Sequence, residues 1–195
     1  MAELENIDHS LVTVGQPTDG GCVYVSPYTP DLTLPTDAET KMNTLTDFKS
    51  AGDLSQDGFT KANSKTKNDQ KNWNEETVLS NTSEETNTYK LAFIEINRPV
   101  VAELRYGIGN VETGEDGSVS EITEKVGVED EWAIVIDELE SNGYLRRTVI
   151  ERASIDSVDD ESHNKSGLVT YGMTFKVLKG KGDIVKQYRA KPAVA

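Results

Sequence analysis

The sequence predicts a mainly β fold, a β-sandwich or barrel-like arrangement with one short flanking α-helix. Short runs of β-branched and aromatic residues recur along the chain, and turn residues separate them. Only the stretch around Pro99 combines an apolar stripe of helical spacing with start and stop signals. The length of 195 residues suits one domain, so residues 1–195 are expected to fold as a unit.

The N-terminal region is predicted to contain a hairpin followed by an extended connector. Residues 11–14 and 22–25 are β-prone, and the turn-rich residues 16–21 lie between them. Residues 26–37 contain three prolines, which cannot donate to a strand ladder. This segment is therefore predicted to be extended and unpaired.

Residues 53–87 are polar and are expected to form an arm that protrudes from the domain. Lysine, asparagine, aspartate, threonine and glutamate are interleaved around Trp73, with only weak alternation. Two modest strands are predicted, near residues 60–67 and 77–81. A disordered loop is the alternative, because the segment has little apolar surface to bury.

The next stretch predicts a central strand that leads into the helix. Residues 89–96 carry apolar side chains on both faces, as strands buried within a sheet do. Asn97 is the predicted N-cap and Pro99 lies in the first turn. Gly107 is predicted to end the helix after two to three turns.

Three further strands are predicted in the C-terminal half. Residues 132–136 form a buried apolar run that begins at Trp132. Residues 144–150 follow it through Ser-Asn-Gly at 141–143, which contains the Asn-Gly hairpin signal. Residues 168–178 are predicted to be the last strong strand.

The sequence indicates no catalytic, cofactor or metal chemistry. Cys22 is the only cysteine, which excludes an internal disulfide and a cysteine-based zinc site. The two histidines, His9 and His163, lie in polar segments without a triad-like pattern, so both are expected at the surface. No signal peptide or apolar run of membrane-spanning length is present, so we expect a protein that is made in the cytoplasm and does not insert into membranes. Because no catalytic pattern is found, we also expect that it is not an enzyme.

The charge distribution is the most informative pattern. Thirty-four acidic and twenty basic residues give a net charge of -14, which repels phosphate backbones. The acidic loop 112–131 holds eight acidic residues and one lysine, whereas residues 176–191 hold six basic residues and one acid. Two patches of opposite charge permit head-to-tail contact between copies of the chain. The alternative, that both stretches are ordinary solvated loops, explains the same charges equally well.

Several stretches, taken in order, resemble the major tail tube proteins of long-tailed, siphovirus-type bacteriophages. The likeness covers roughly residues 5–180 and lies in pattern and order. Thr33–Ala38 contains the "LPTDA" connector typical of such subunits, and Gly52–Thr60 is similar to a "GYxSEDG-hydrophobic-T" segment, with Asp53 in place of the usual aromatic residue. The other similar stretches are Glu5–His9, Val23–Pro27, Leu91–Tyr106, Trp132–Ile136 and Arg146–Ile150.

The resemblance implies a structural subunit of the virion tail, assembled in the host cytoplasm. Six copies would form a ring, and stacked rings would form a tube whose lumen is lined by a continuous β-barrel. Long loops would bridge successive rings. The implied partners are the tape-measure, tail-tip and tail-terminator proteins, together with genomic DNA in transit without tight binding.

Within this family, the segregated charges mark candidate subunit-interface or lumen residues on the acidic loop 112–131 and the basic C-terminal tail 179–195. The candidates are Glu112, Glu115, Asp116, Glu121, Glu124, Glu129, Asp130, Lys179, Lys181, Lys186 and Arg189. A monomeric β-sandwich module that recognises a carbohydrate or receptor is the alternative function. Rings or tubes would favour the first hypothesis, and a permanent monomer would favour the second.

Overall fold

The computed structural model describes residues 12–18, 22–182 and 184–191, so His9, Asp183 and the centre of the predicted N-terminal turn lie outside it. It is 52% strand and 6% helix, which confirms a mainly β fold with one short helix. The described residues form one α-helix, α1 (Pro99–Tyr106), a 3-10 turn (Met42–Thr44) and eleven strands. The strands are β1 (Gly15–Pro17), β2 (Val23–Pro27), β3 (Lys49–Gly52), β4 (Leu54–Lys71), β5 (Thr77–Phe93), β6 (Val111–Thr113), β7 (Val119–Ile122), β8 (Glu131–Glu140), β9 (Leu145–Val158), β10 (Tyr171–Val177) and β11 (Val185–Ala190).

Nine of these strands form one antiparallel sheet that curls around a common core. Its order is β3-β2-β8-β9-β10-β5-β4, with β1 added beside β8 and β11 added beside β9. The two end strands, β3 and β4, are consecutive in the chain and are separated only by Asp53. The two ends of the sheet therefore lie next to each other, because a single residue links them, while the strand path stays open between β3 and β4.

The interior of the curled sheet holds the main hydrophobic core. Trp132 is 1% exposed, which confirms residues 132–136 as a buried strand. Helix α1 packs Val100, Val101 and Leu104 against this core. The largest other fully buried side chains come from five different strands and are Tyr89, Phe93, Phe175, Leu91, Ile134, Ile136, Ile150, Met173, Val23 and Val25.

The outer face of β8 and β9 is covered by the connector and the segment after it. Met42 and Phe48 pack there against Ala133, Val135 and Val149. As predicted, the connector forms no strand after Pro27.

A buried ion pair fastens the covering segment to the sheet. The Arg147 Nε–Asp137 Oδ1 distance is 2.6 Å, and both side chains are largely buried. The Arg147 guanidinium also donates to the carbonyl oxygens of Asp37 at 3.0 Å and Thr40 at 2.8 Å. One arginine thus satisfies a buried carboxylate and two loop carbonyls at once.

Local signals predicted the helix and the late hairpin well. Pro99 is the first residue of α1, and Gly107 ends the helix with φ 97°, a conformation that favours glycine. The predicted N-cap was wrong by one residue, because Arg98 holds that position. Strands β8 and β9 are joined through the predicted Asn-Gly turn, in which Gly143 has φ 83°.

Long-range pairing overturned three other predictions. The N-terminal hairpin was wrong, because β1 and β2 both pair with β8, one after the other, rather than with each other. The central strand ends at Phe93 and buries one face only. Residues 168–178 do not contain the last strand, since β11 follows and pairs with β9.

Candidate assembly surfaces

Strands β4 and β5 extend far beyond the core as a two-stranded hairpin, here called the arm (residues 60–87). The predicted strands 60–67 and 77–81 lie within it, but the structure makes both longer, since the ladder runs from Thr60↔Lys90 to Lys71↔Thr77. Nearly every residue of the arm is exposed. The arm therefore has no covering layer within the described part of its own chain.

The root of the arm joins it firmly to the core. Phe59 and Tyr89 stack there with ring centroids 6.4 Å apart, and Lys61 Nζ lies 5.7 Å from the centroid of the Tyr89 ring. Farther out, the same face becomes polar, with Lys65 Nζ 3.1 Å from Glu85 Oε1. Asn63 Nδ2 also donates to the Glu85 carboxylate at 3.1 Å. The arm is thus a polar continuation of two core strands.

The tip of the arm is a tight turn that presents one tryptophan. Asn72 Oδ1 accepts the backbone N–H groups of Asn74 and Glu76, each at 3.0 Å. Glu75 adopts φ 63°, the left-handed conformation that closes such turns. Trp73 is 101% exposed, so its whole ring faces solvent. An ordered turn therefore holds a large apolar side chain in water.

The first half of the acidic loop forms a small separate hairpin, β6–β7, which packs against α1, and residues 123–130 then lead to β8 without a strand. Glu112 and Glu121 are direct cross-strand partners in this hairpin. Like charges placed opposite each other destabilise a strand pair. Six of the candidate carboxylates are exposed, and none forms an ion pair with any described residue: Glu112, Glu115, Asp116, Glu121, Glu124 and Glu129.

Two residues of the acidic loop also support local structure. Asp116 accepts the Ser118 backbone N–H and hydroxyl, and these bonds hold the pKa of its carboxyl below the ordinary value. Asp130 Oδ2 accepts the Ile108 backbone N–H at 2.7 Å, which ties the loop to the end of α1.

The basic tail is partly built into the sheet. Arg189 on β11 donates to Glu140 Oε2 through Nε at 2.8 Å, and its guanidinium lies 4.5 Å from the centroid of the Tyr144 ring. The Glu140 side chain is only 4% exposed, so this pairing neutralises a buried carboxylate. Lys186 lies on the same strand and is exposed.

The segment before β11 is fastened in the same way. Lys181 Nζ lies 2.8 Å from Asp31 Oδ1, and this contact raises the pKa of Lys181. The backbone N–H groups of Lys181 and Gly182 donate to the buried Glu151 carboxylate at 2.7 and 3.0 Å. Lys179 is exposed, and its carbonyl accepts a bond from Arg152 at 3.1 Å.

A cleft of about 460 Å³ lies at the root of the arm, between β1, the start of β4 and the end of β8. Acidic residues are among those that line it, and one of them, Glu138, has its pKa raised mainly by burial. The Arg146 guanidinium, 3.8 Å from Glu138, opposes that rise. The apolar lining consists of Cys22, Leu54, Phe59, Ile94 and Ile136.

The described residues contain no group of three or more side chains placed to hold a metal ion. None of the helices among them is long and apolar enough to cross a membrane. His163 lies in an exposed loop, 3.3 Å from Glu161. The ordered features of the described residues are therefore an arm, charged surfaces and a cleft on a curled sheet.

Comparison with known families gives one decisive finding. The sequence profile of the family described as phage tail tube protein matches residues 18–191 of the 195-residue chain. The chain belongs to the phage tail tube protein family. A comparison with curated proteins gives no match. As a member of this family, the tail tube subunit is a structural component of the virion tail, and it assembles into a tube with other tail proteins.

The structure separates the two candidate patches of the tail tube subunit. The acidic hairpin β6–β7 packs beside α1, whereas the basic strand β11 lies at a sheet edge beside β9. Sequence reasoning missed the tip of the arm as a candidate surface. The signal that could have revealed it was Trp73 itself, the one large apolar side chain in residues 60–77.

Proposed function

We propose that six copies of this chain form a ring, that rings stack into a hollow tail tube, and that DNA passes through the tube during ejection. Family membership supports the tube. The arm is the observation that carries the finer proposal. A two-stranded hairpin without a covering layer is marginally stable in water, so it gains most when a neighbouring copy covers it. In this proposal the arm of one copy lies on a copy in the next ring.

The free sheet edges support contact within a ring. Among the described strands, β4 pairs only with β5, and β11 pairs only with β9. Exposed edges offer unpaired N–H and C=O groups to another strand. Six copies joined through such edges would give a closed wall around the lumen.

The acidic surface supports passage of DNA without binding. A net charge of -14 gives the phosphate backbone few counter-charges. The Glu112–Glu121 pair costs local stability in β6–β7, and folding alone gives no reason to keep it. We propose that the acidic hairpin faces either the lumen or the next ring, with the exposed lysines 179, 181 and 186 at contacts between copies.

The same proposal sets the partners and the place of assembly. The tape-measure protein would occupy the lumen before DNA, and tail-tip and terminator proteins would close the two ends of the tube. Assembly would occur in the host cytoplasm, and the tail would be of the long, siphovirus type.

Negative-stain microscopy of the concentrated full chain tests this proposal. Rings with sixfold symmetry, alone or stacked into tubes, are the expected result. A chain that stays a monodisperse monomer at high concentration would contradict the proposal and favour a monomeric recognition module.

Substituting one acidic residue tests the role of the acidic hairpin. Glu112→Lys places a cation opposite Glu121 and should stabilise β6–β7 by roughly 0.2–1 kcal/mol. Assembly or DNA ejection should nevertheless become poorer, as measured by tube yield and by the rate of DNA release from particles. A normal tube yield together with a normal rate of DNA release would exclude a role for this surface. Ser120→Lys, on the same hairpin, is the control for the effect of an added lysine.

A further inference from the structure

We propose that Trp73 anchors the arm by inserting into the root cleft of a second copy of the chain. The inference depends on the proposed function, because it names the contact by which one ring would hold the next. Trp73 is fully exposed in the single chain, whereas the other tryptophan, Trp132, is buried. Tryptophan is the residue type most enriched among the dominant contacts of protein interfaces.

The tip is ordered before any partner arrives. The Asn72 side chain accepts two backbone N–H groups of the turn, and its amide donates to Glu76 Oε2 at 2.8 Å. A side chain held on an ordered turn loses less conformational entropy on binding than one on a mobile loop. The turn therefore favours docking of Trp73 as a unit.

The cleft suits an indole ring. Its volume of about 460 Å³ falls within the range of pockets that bind small ligands. Leu54, Phe59 and Ile94 are half-buried and supply apolar walls. Asp57 and Glu138 also line the cleft, and a carboxylate can accept the indole N–H, which is a donor only. A second depression shares residues 54–58 but also contains the Lys90–Asp159 ion pair, which an indole would have to desolvate.

The occupant must come from another copy. The cleft lies at the root of the arm, and the β4–β5 ladder runs from there to Lys71↔Thr77. Twelve paired residues at about 3.3 Å each place the tip roughly 40 Å from the root. A paired hairpin of this length cannot fold back onto its own root, so the tip reaches only the cleft of a neighbouring chain.

This contact also has the symmetry that a tube needs. Tip and root are unlike surfaces, so each copy offers both halves of the contact to different neighbours. Such a heterologous contact repeats along the direction of the arm without closing. The expected axial repeat is therefore close to the length of the arm, roughly 40 Å.

Tryptophan fluorescence tests whether Trp73 becomes buried on assembly. In the free chain, acrylamide should quench Trp73 strongly and Trp132 weakly, and the Trp73→Phe variant supplies the signal of Trp132 alone. In tubes, the quenching of the native chain should fall to that of Trp73→Phe. If Trp73 is quenched as strongly in tubes as in the free chain, the inference is overturned while the proposed function stands, because tubes have formed.

A photoreactive phenylalanine at position 73 tests where the ring goes. Irradiated tubes should give cross-links between copies to residues 15–17, 22, 54–59 or 136–138. Cross-links confined to other regions would overturn the assignment of the cleft. Failure to form rings or tubes with the native chain would instead contradict the proposed function itself.

Assembly thresholds complete the test. Trp73→Ala should raise the chain concentration needed for assembly by about 30-fold, as expected for loss of a dominant interface tryptophan. Leu168→Ala changes an exposed apolar side chain outside the arm, the root cleft and the acidic loop, so it is the matched control and should leave the threshold unchanged. Equal thresholds for Trp73→Ala and the native chain would overturn the inference.

Discussion

The two halves of strands β4 and β5 differ sharply, although they belong to the same hairpin. Near the core, Tyr89, Leu91 and Phe93 are completely buried, whereas residues 77–85 on the same strand are exposed. The backbone pairing continues through both halves. Burial of apolar surface is the main favourable term in folding, so the root stabilises the subunit and the arm adds little. The comparison shows that the root end of β5 contributes to the folded core, whereas the arm, which we propose contacts a neighbouring copy, contributes little burial.

The largest expected effect is at the root. Phe93→Ala removes a fully buried ring and should lower the free energy of unfolding by about 3–5 kcal/mol, as measured by urea denaturation. Leu79→Ala, in the arm on the same strand, should change it by less than about 0.5 kcal/mol. Similar losses at both positions would show that the arm is part of the folding core.

The second effect concerns the C-terminal strand. Arg189→Ala leaves the buried Glu140 carboxylate without its cation and should cost about 2 kcal/mol of unfolding free energy. Arg146→Ala is the control, because its 3.8 Å contact with Glu138 is partly exposed and should contribute less than about 1 kcal/mol. An Arg189→Ala chain as stable as the native one would show that β11 is only a loosely attached tail.

The smallest effect is a pH dependence at the root cleft. Burial raises the pKa of Glu138, so its ionised form costs stability in the folded chain. Glu138→Gln should therefore be more stable than the native chain at neutral pH. The difference in unfolding free energy between the two chains should shrink as the pH falls through the raised pKa of folded Glu138, and it should vanish below the ordinary glutamate pKa. Denaturation midpoints at several pH values measure this, and a gain that persists at acid pH would contradict the assignment.

Local signals made part of the fold predictable from sequence. The Asn142-Gly143 turn and the apolar run from Trp132 predicted β8 and β9, because both features act over a few residues. Gly107 predicted the end of α1 for the same reason. These features depend little on the rest of the chain.

Features set by distant partners could not be predicted in this way. Strands β1 and β2 follow the edge of β8, more than a hundred residues away, and a turn-rich sequence between them suggested a hairpin instead. The arm has no buried face, so it lacks the alternation that marks a strand. In β11, charged residues obscure a weak alternation, and pairing with β9 decides its structure.

The candidate surfaces were predictable to a similar degree. Composition located the acidic loop 112–131, because charge is additive along the sequence. It could not reveal that Arg189 is engaged with buried Glu140, nor that Trp73 stands at the tip of a long hairpin. Both facts depend on which strands pair.

Shortening the arm tests the central claim most directly. Replacing residues 63–87 by Asn-Gly joins the paired residues Ala62 and Thr88 through a two-residue hairpin turn. The free energy of unfolding should change by less than about 1 kcal/mol, since nearly all of the removed residues are exposed and none is buried. Electron microscopy of the folded variant should show no stacked tubes. Tubes with the native axial repeat, or a chain that no longer folds, would contradict the division between a folding root and an assembling arm.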